Sequence, residues 1–224
     1  MDARLSIVVP VLNEEAGIAA ALDALSPLRA RGHEVIVVDG ASEDATAALA
    51  APRCDRLLSA PRGRALQMNA GARAAGGDAL VFLHADTRLP ERADELILTA
   101  VASASWGRFD VAIDSPRAAL KLVACAMNLR SRLTGIATGD QAIFVRREAF
   151  PGFPEIPLME DIAFSRAMKR RARPVCLREK VATSPRRWEA RGVVRTIALM
   201  WRLRLLYALG IAPQRLAREY VDQR

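Results

Sequence analysis

Hydrophobic positions in the first 105 residues fall into two patterns that take turns. The runs Ser6–Leu12, Val35–Val38 and Ala79–Leu83 are short, rich in Val, Ile and Leu, and do not alternate with polar residues. That is the pattern of strands buried on both faces of a parallel sheet. Between them apolar residues recur at helical spacing. Glu14–Arg31 puts Ile18, Ala21, Leu22 and Leu25 on one stripe, Ser42 is placed to cap a helix through Leu49, and Arg64–Ala75 and Glu91–Ala104 continue the series. Strand and helix taking turns predict a doubly wound α/β half. Beyond Trp106 the rhythm changes. Gly107–Ile113 alternates like an edge or mixed-sheet strand, Ala118–Leu133 is helical and Gln141–Val145 is a short strand. A loop pinned by Pro151, Pro154 and Pro157 then leads to a helix over Asp161–Arg171. No repeat or flexible linker marks a second domain.

Composition agrees with one folded domain: 224 residues, 51% hydrophobic and 26% charged. The formal charge of +8 admits nucleic acid, an anionic membrane or a phosphorylated substrate as partner. Its distribution narrows the choice. Residues 1–165 carry 17 basic and 21 acidic groups, a net of −4, whereas residues 166–224 carry 16 and 4, a net of +12. Only 5% of the chain is aromatic, which leaves few stacking platforms and argues against nucleic acid. Cys54, Cys125 and Cys176 are scattered and odd in number, so neither a disulfide framework nor a zinc site is expected, and a cytoplasmic setting fits. The apolar N-terminal run is too short for a signal peptide.

The segment Val193–Ile211 is apolar but carries Arg195, Arg202 and Arg204. Each would cost roughly 2.5–3.5 kcal/mol in a bilayer centre, so a membrane span is not expected. Val193, Ile197, Met200, Trp201, Leu205 and Ala208 form one helix face. Two readings stand: a basic amphipathic extension, residues 191–224, lying on the inner face of an anionic membrane, or a helix packed on the catalytic body or pairing two subunits.

In an open parallel sheet, ligands bind at the carboxyl ends of the strands. There the runs end in Asn13-Glu14-Glu15, Asp39-Gly40-Ala41-Ser42 and His84-Ala85-Asp86-Thr87. A carboxylate such as Asp39 must find hydrogen-bond donors, from a ligand's base or ribose or from the next helix. His84 and Asp86 are either a hydrogen-bonded pair or two ligands for a divalent ion that a diphosphate completes. Arg64 opens a helix that includes Asn69, a placement suited to an anionic group, and Glu160-Asp161 starts another helix as base or as cap. No phosphate-binding Gly-rich fingerprint follows any strand.

Together these segments resemble, in order and spacing and over nearly the whole chain, the family 2 glycosyltransferases with the GT-A fold. Val9-Pro10-Val11-Leu12-Asn13-Glu14 is similar to the family's P-x-x-N-E signature, and Val38-Asp39-Gly40-Ala41-Ser42-Glu43-Asp44-Ala45-Thr46 to its V-D-D/G-x-S-x-D-x-T segment. His84-Ala85-Asp86 stands where the family has D-x-D, Gly139-Asp140-Gln141 resembles the acceptor-side loop, and Glu160-Asp161 the E-D pair. Ser184-Pro185-Arg186-Arg187-Trp188 resembles Q-x-x-R-W with Ser for Gln. The resemblance implies a mostly parallel sheet and a catalytic domain over residues 1–190. It implies a nucleotide-diphosphate sugar donor held by Pro10, Asn13, Glu14, Asp39, Ser42, Arg64, Asn69, His84, Ala85 and Asp86. It further implies Mg²⁺ or Mn²⁺ on Asp86, Asp161 with Glu160 as catalytic carboxylates, and Gly139, Asp140, Gln141, Arg187 and Trp188 on the acceptor or diphosphate side. A nucleotidyltransferase acting on a sugar phosphate and a nucleic-acid-binding module are the alternatives; the acidic loop after the first run disfavours the former.

Overall fold

The structure, a computed structural model, describes residues 3–222, without the side chains at 187, 191, 221 and 222. The first half runs β1 (Leu5–Val11), α1 (Glu15–Asp23), α2 (Ser26–Ala30), β2 (Glu34–Asp39), α3 (Thr46–Ala50), β3 (Arg56–Ser59), α4 (Arg64–Ala74) and β4 (Ala79–Phe82). There follow β5 (Thr87–Arg88), α5 (Ala93–Ser103), β6 (Trp106–Ile113), α6 (Ala118–Thr134), β7 (Phe144–Arg146), α7 (Glu160–Lys169), β8 (Val175–Thr183), α8 (Arg186–Arg191), α9 (Val193–Ala208) and α10 (Pro213–Asp222).

The eight strands form one mixed sheet in the order β3-β2-β1-β4-β7-β6-β8-β5. β3, β2, β1 and β4 are parallel, β7 runs against both its neighbours, and β6 and β8 are again a parallel pair. Both faces are covered, which explains the unbroken apolar runs. Ile7, Val9, Val35, Val37 and Val81 point into one core with Ile18, Leu22 and Ile97. Val8, Ile36, Val38, Leu80 and Phe82 point into the other with Met68, Trp106 and Phe164. Gly71 of α4 lies so close to the sheet that a Cβ there would meet Val8 Cγ1 at 2.4 Å, and this sets the helix's approach.

Several boundaries differ from the sequence reading. The helix expected over Glu14–Arg31 breaks after Asp23, because Pro27 lacks an N–H and belongs in a first helical turn. The strand expected over Gln141–Val145 is a 3-10 turn at Gly139–Gln141 followed by β7. β6 is an interior strand of the mixed sheet, the second of the two placements its alternation allowed. β3 and the charged middle of β8 are largely exposed, so neither carries a hydrophobic signal. The tail packs by a face other than the one expected. Leu199 and Leu203 of α9 bury against Met159 and Ile162 together with Leu216 and Tyr220 of α10.

Candidate active site

Parallel register brings the three loops to one edge of the sheet. Val11 stands opposite Asp39 and Val8 opposite Phe82, so the residues that follow β1, β2 and β4 emerge side by side. The first two loops are laced together. Asn13 has a left-handed backbone, φ 52°, which an Asn tolerates; its N–H donates to Ser42 Oγ and its Oδ1 accepts from the Glu43 N–H. Ser42 donates both its N–H and its hydroxyl to Asp39. The Glu14 N–H donates to Thr46 Oγ1, and the Glu15 N–H to Asp44. Beneath them Gln67, buried, donates from Nε2 to the carbonyls of Val11 (2.7 Å) and Val38 (2.9 Å). One amide thus joins the ends of β1 and β2 to α4.

A cleft of about 490 Å³, open to solvent, is lined by Pro10, Glu14, Arg62, Arg64, Gln67, His84, Ala85 and Asp86, with Glu155–Leu158 completing it. A second lobe, sharing Arg64, His84, Leu158 and Tyr220, is lined by Gly139, Asp140, Glu160, Asp161 and Arg204. The turn at Gly139–Gln141 belongs to the second lobe and packs against His84, which lines both. His84 Nδ1 lies 3.4 Å from Asp140 Oδ1, and a Cβ on Gly139 would meet the His84 ring at 2.5 Å, so only glycine lets the imidazole sit there. The Gly139 N–H donates to Asp161 Oδ2 at 3.1 Å, and Asp161 Oδ1 accepts from the Ile162 N–H at 2.7 Å.

The two carboxylates of α7 divide the work. Asp161 is half-buried in the cavity wall, whereas Glu160 is buried with Oε1 3.5 Å from Arg64 Nη1. Burial raises the Glu160 carboxyl above its ordinary value, against the opposing pull of Arg64. Glu160 therefore anchors Arg64, the cation common to both lobes. Met159, just before it, holds a left-handed conformation, φ 70°, which turns the chain from the proline loop into α7.

Not every expected site residue faces the cleft. Asn69 is buried and clamps Phe153, accepting its N–H at 2.8 Å and donating to its carbonyl at 2.9 Å. Gln141 is wholly buried, with Oε1 accepting from the Thr138 N–H and Nε2 near Asn128. Trp188 packs beside Ile113, Leu120 and Ala124 rather than in either lobe. The side chain of Arg187 lies outside the described residues. Conversely, Arg62, Arg186, Arg204 and Tyr220 were not singled out as site residues. Arg186 donates to Glu14 at 2.9 Å, a contact across 172 positions, and the Ser184 N–H donates to the Asp86 carbonyl. Their segment was legible as a motif, but its partners were not.

Strand-end loops gathered over a mixed sheet, with a half-buried carboxylate across the cleft, are the architecture of the GT-A fold. The profile of glycosyl transferase family 2 matches residues 6–121, and the chain belongs to that family. Glucosyl-3-phosphoglycerate synthase from Mycobacterium tuberculosis, solved with Mn²⁺, UDP and glucosyl-3-phosphoglycerate, superposes with a TM-score of 0.65 at 20% identity over 94% of this chain and 81% of that one. S. aureus TarS 1–349 gives 0.67 at 18% identity, covering 81% of this chain and 61% of TarS 1–349. The mannosyltransferase PcManGT from Pyrobaculum calidifontis, solved with GDP-Man and Mn²⁺, gives 0.62 at 22%, covering 81% and 57%. No curated protein matches the chain.

Proposed function

We propose that this glycosyl transferase moves a sugar from a nucleotide-diphosphate donor to an acceptor hydroxyl by direct displacement, with inversion at the anomeric carbon. The observation that carries the reading is the position of Asp161. Two backbone N–H groups orient its carboxylate in the lobe across from the donor loops. Asp161 takes the proton of the acceptor hydroxyl as that oxygen attacks, and the nucleoside diphosphate leaves from the opposite face. Arg64, anchored by Glu160, faces the charge that develops on the diphosphate. Pro10 and Glu14 line the nucleoside end of the cleft, whereas Asp39, buried and bonded to Ser42, supports the loop beside it.

Of the solved structures named above, the M. tuberculosis synthase holds Mn²⁺ with UDP and PcManGT holds Mn²⁺ with GDP-Man, which supports the same donor class here. The donor set fits such an ion. Asp86 is half-buried on the cleft wall with His84 two residues before it, and among the described residues no cluster of three or more ligands would hold a metal unaided. Mg²⁺ and Mn²⁺ accept few protein ligands when a diphosphate supplies the others, so Asp86 would hold the ion and it would neutralise the leaving diphosphate, while His84 Nδ1 stays beside Asp140. The test is Asp161→Asn. Transfer falls about 10²- to 10⁴-fold while nucleotide affinity stays unchanged; undiminished transfer refutes the assignment.

A second reading concerns the surface. Leu122, Leu129 and Leu133 of α6 and Val194, Trp201, Leu205 and Leu209 along and just after α9 are all exposed, each set forming a stripe at helical spacing. Arg117, Lys121 and Arg195 are exposed alongside. Apolar stripes with basic flanks suit an anionic membrane surface. No helix among the described residues is long and apolar enough to cross one. Sedimentation with phosphatidylglycerol vesicles that Trp201→Ser with Leu205→Ser abolishes supports this contact, and unchanged sedimentation or a concentration-dependent dimer through the stripe overturns it.

A further inference from the structure

The lobe around Asp161 is lined by Asp140, Glu160 and Asp161 together with Arg64 and Arg204, and Arg130 lies within electrostatic reach of Asp161 and Arg204. Arg204 comes from α9 and lines the cavity beside Gly139, Asp140 and Asp161. Burial lowers its proton affinity, with Asp161 and Asp140 pulling in the other direction. Arg130 comes from α6, and its Nε and Nη2 are shut off from solvent without any hydrogen-bond partner. Burial, then the charge of Arg204, bring Arg130 down to about 10, again opposed by Asp161. The neighbouring cations are spoken for. Arg108 and Arg132 share Asp110, and Arg64 has Glu160. Arg130 and Arg204 form no ion pair among the described residues.

Buried guanidinium donors without acceptors are costly, and two close together are costlier, whereas an anion held by both offsets the desolvation and the mutual repulsion. The donor's own diphosphate is not that anion. On the proposed mechanism its groups lie between Arg64 and Asp86 in the other lobe, which Arg204 does not line. Resting on the glycosyl-transfer reading, we infer that Arg204, with Arg130 beside it, forms an anion subsite on the acceptor side of the cleft, so that the acceptor carries a phosphate or carboxylate besides the hydroxyl that Asp161 deprotonates.

The test uses the full chain with the nucleotide site filled by UDP or GDP and Mn²⁺. Glycerol 3-phosphate, farnesyl phosphate and neutral glycerol are titrated calorimetrically into wild type, Arg204→Met and Arg204→Lys. At least one of the two phosphates binds wild type. Its affinity falls about tenfold or more in Arg204→Met, the loss of a charge-assisted contact, and is partly restored by Arg204→Lys. Nucleotide affinity is the same in all three. Preference for glycerol 3-phosphate marks a soluble acceptor and preference for farnesyl phosphate a lipid one; both support the subsite. Binding of neither phosphate, equal binding of glycerol, or phosphate affinity indifferent to Arg204→Met overturns it. The two readings fail separately: if neither nucleotide binds, the donor assignment falls, and the dependence of phosphate binding on Arg204 still decides the subsite.

Discussion

Gln67 and Gly40 offer a quantitative test of how the donor cleft is held together. Gln67 Nε2 donates to two strand-end carbonyls at 2.7 and 2.9 Å, and the side chain is buried. Gly40 sits against it, so that an added Cβ would lie 2.9 Å from Nε2 and 3.0 Å from Cδ. Gly40 has no left-handed backbone, and the cost of a methyl group there is contact alone. Gln67→Ala loses two hydrogen bonds at about 1 kcal/mol each and about 1 kcal/mol of buried side chain, roughly 3 kcal/mol in all. For a chain of this size that lowers Tm by about 6–12 °C. Gly40→Ala costs about 1–3 kcal/mol, because Gln67 cannot swing aside without giving up both carbonyls. In the double variant the added methyl finds the space that Gln67 vacated. The two losses therefore fall short of additivity by about 1–2 kcal/mol. Urea unfolding of the four proteins measures this coupling, and UDP or GDP titration of the same set reports the loosened cleft as weaker binding. Losses that add to within about 0.5 kcal/mol refute the clamp.

Other expectations follow from single contacts. Asp94 bonds Arg31 and His33, whose hydrogen bonds outweigh burial and hold it down at about 2 against an ordinary 3.8. Its contribution, about 2 kcal/mol, is present above the ordinary value and lost as pH falls towards the lowered one, so Asp94→Asn is destabilised at pH 7 and matches wild type near pH 2 in chemical unfolding. Glu160 has the opposite sign: its carboxyl is raised, so the cost of its charged form is absent in acid and grows as pH rises through and above the ordinary 4.5. Glu160→Gln consequently flattens the pH dependence of stability while weakening nucleotide-diphosphate binding through the released Arg64, read by titration. Gly139→Ala displaces the His84 ring and lowers transfer far more than it lowers Tm, because His84 lines both lobes. Arg186→Ala frees Glu14 and weakens nucleotide affinity severalfold with little change in stability, since that pair is largely exposed.

Much of the donor half was readable from local pattern. Strands buried on both faces cannot alternate, so β1, β2 and β4 show as unbroken apolar runs, and the polar residues ending them must collect at one sheet edge wherever the strands are parallel. Asn13, Asp39, His84 and Asp86 stand at that edge, and of these His84 and Asp86 line the cleft. The same logic is blind to β3 and β8, whose exposed or charged side chains carry no burial signal, and to the division between neighbours of one chemical type. Asn69 and Glu160 are both polar residues of a helix's first turns, yet the fold turns Asn69 onto a backbone and Glu160 onto Arg64.

The tail shows the difference most plainly. Its amphipathic spacing and the charge of +12 over residues 166–224 are properties of the chain alone, and a helix that avoids the bilayer centre follows from three arginines among apolar residues. Which face of that helix is buried is a matter of what it meets. Leu199 and Leu203 find Met159 and Ile162, and the rotation this imposes leaves Trp201 and Leu205 in water and carries Arg204 into the cavity beside Asp161. Local periodicity sets how many faces a helix has; the free energy of burial against residues forty positions away chooses among them.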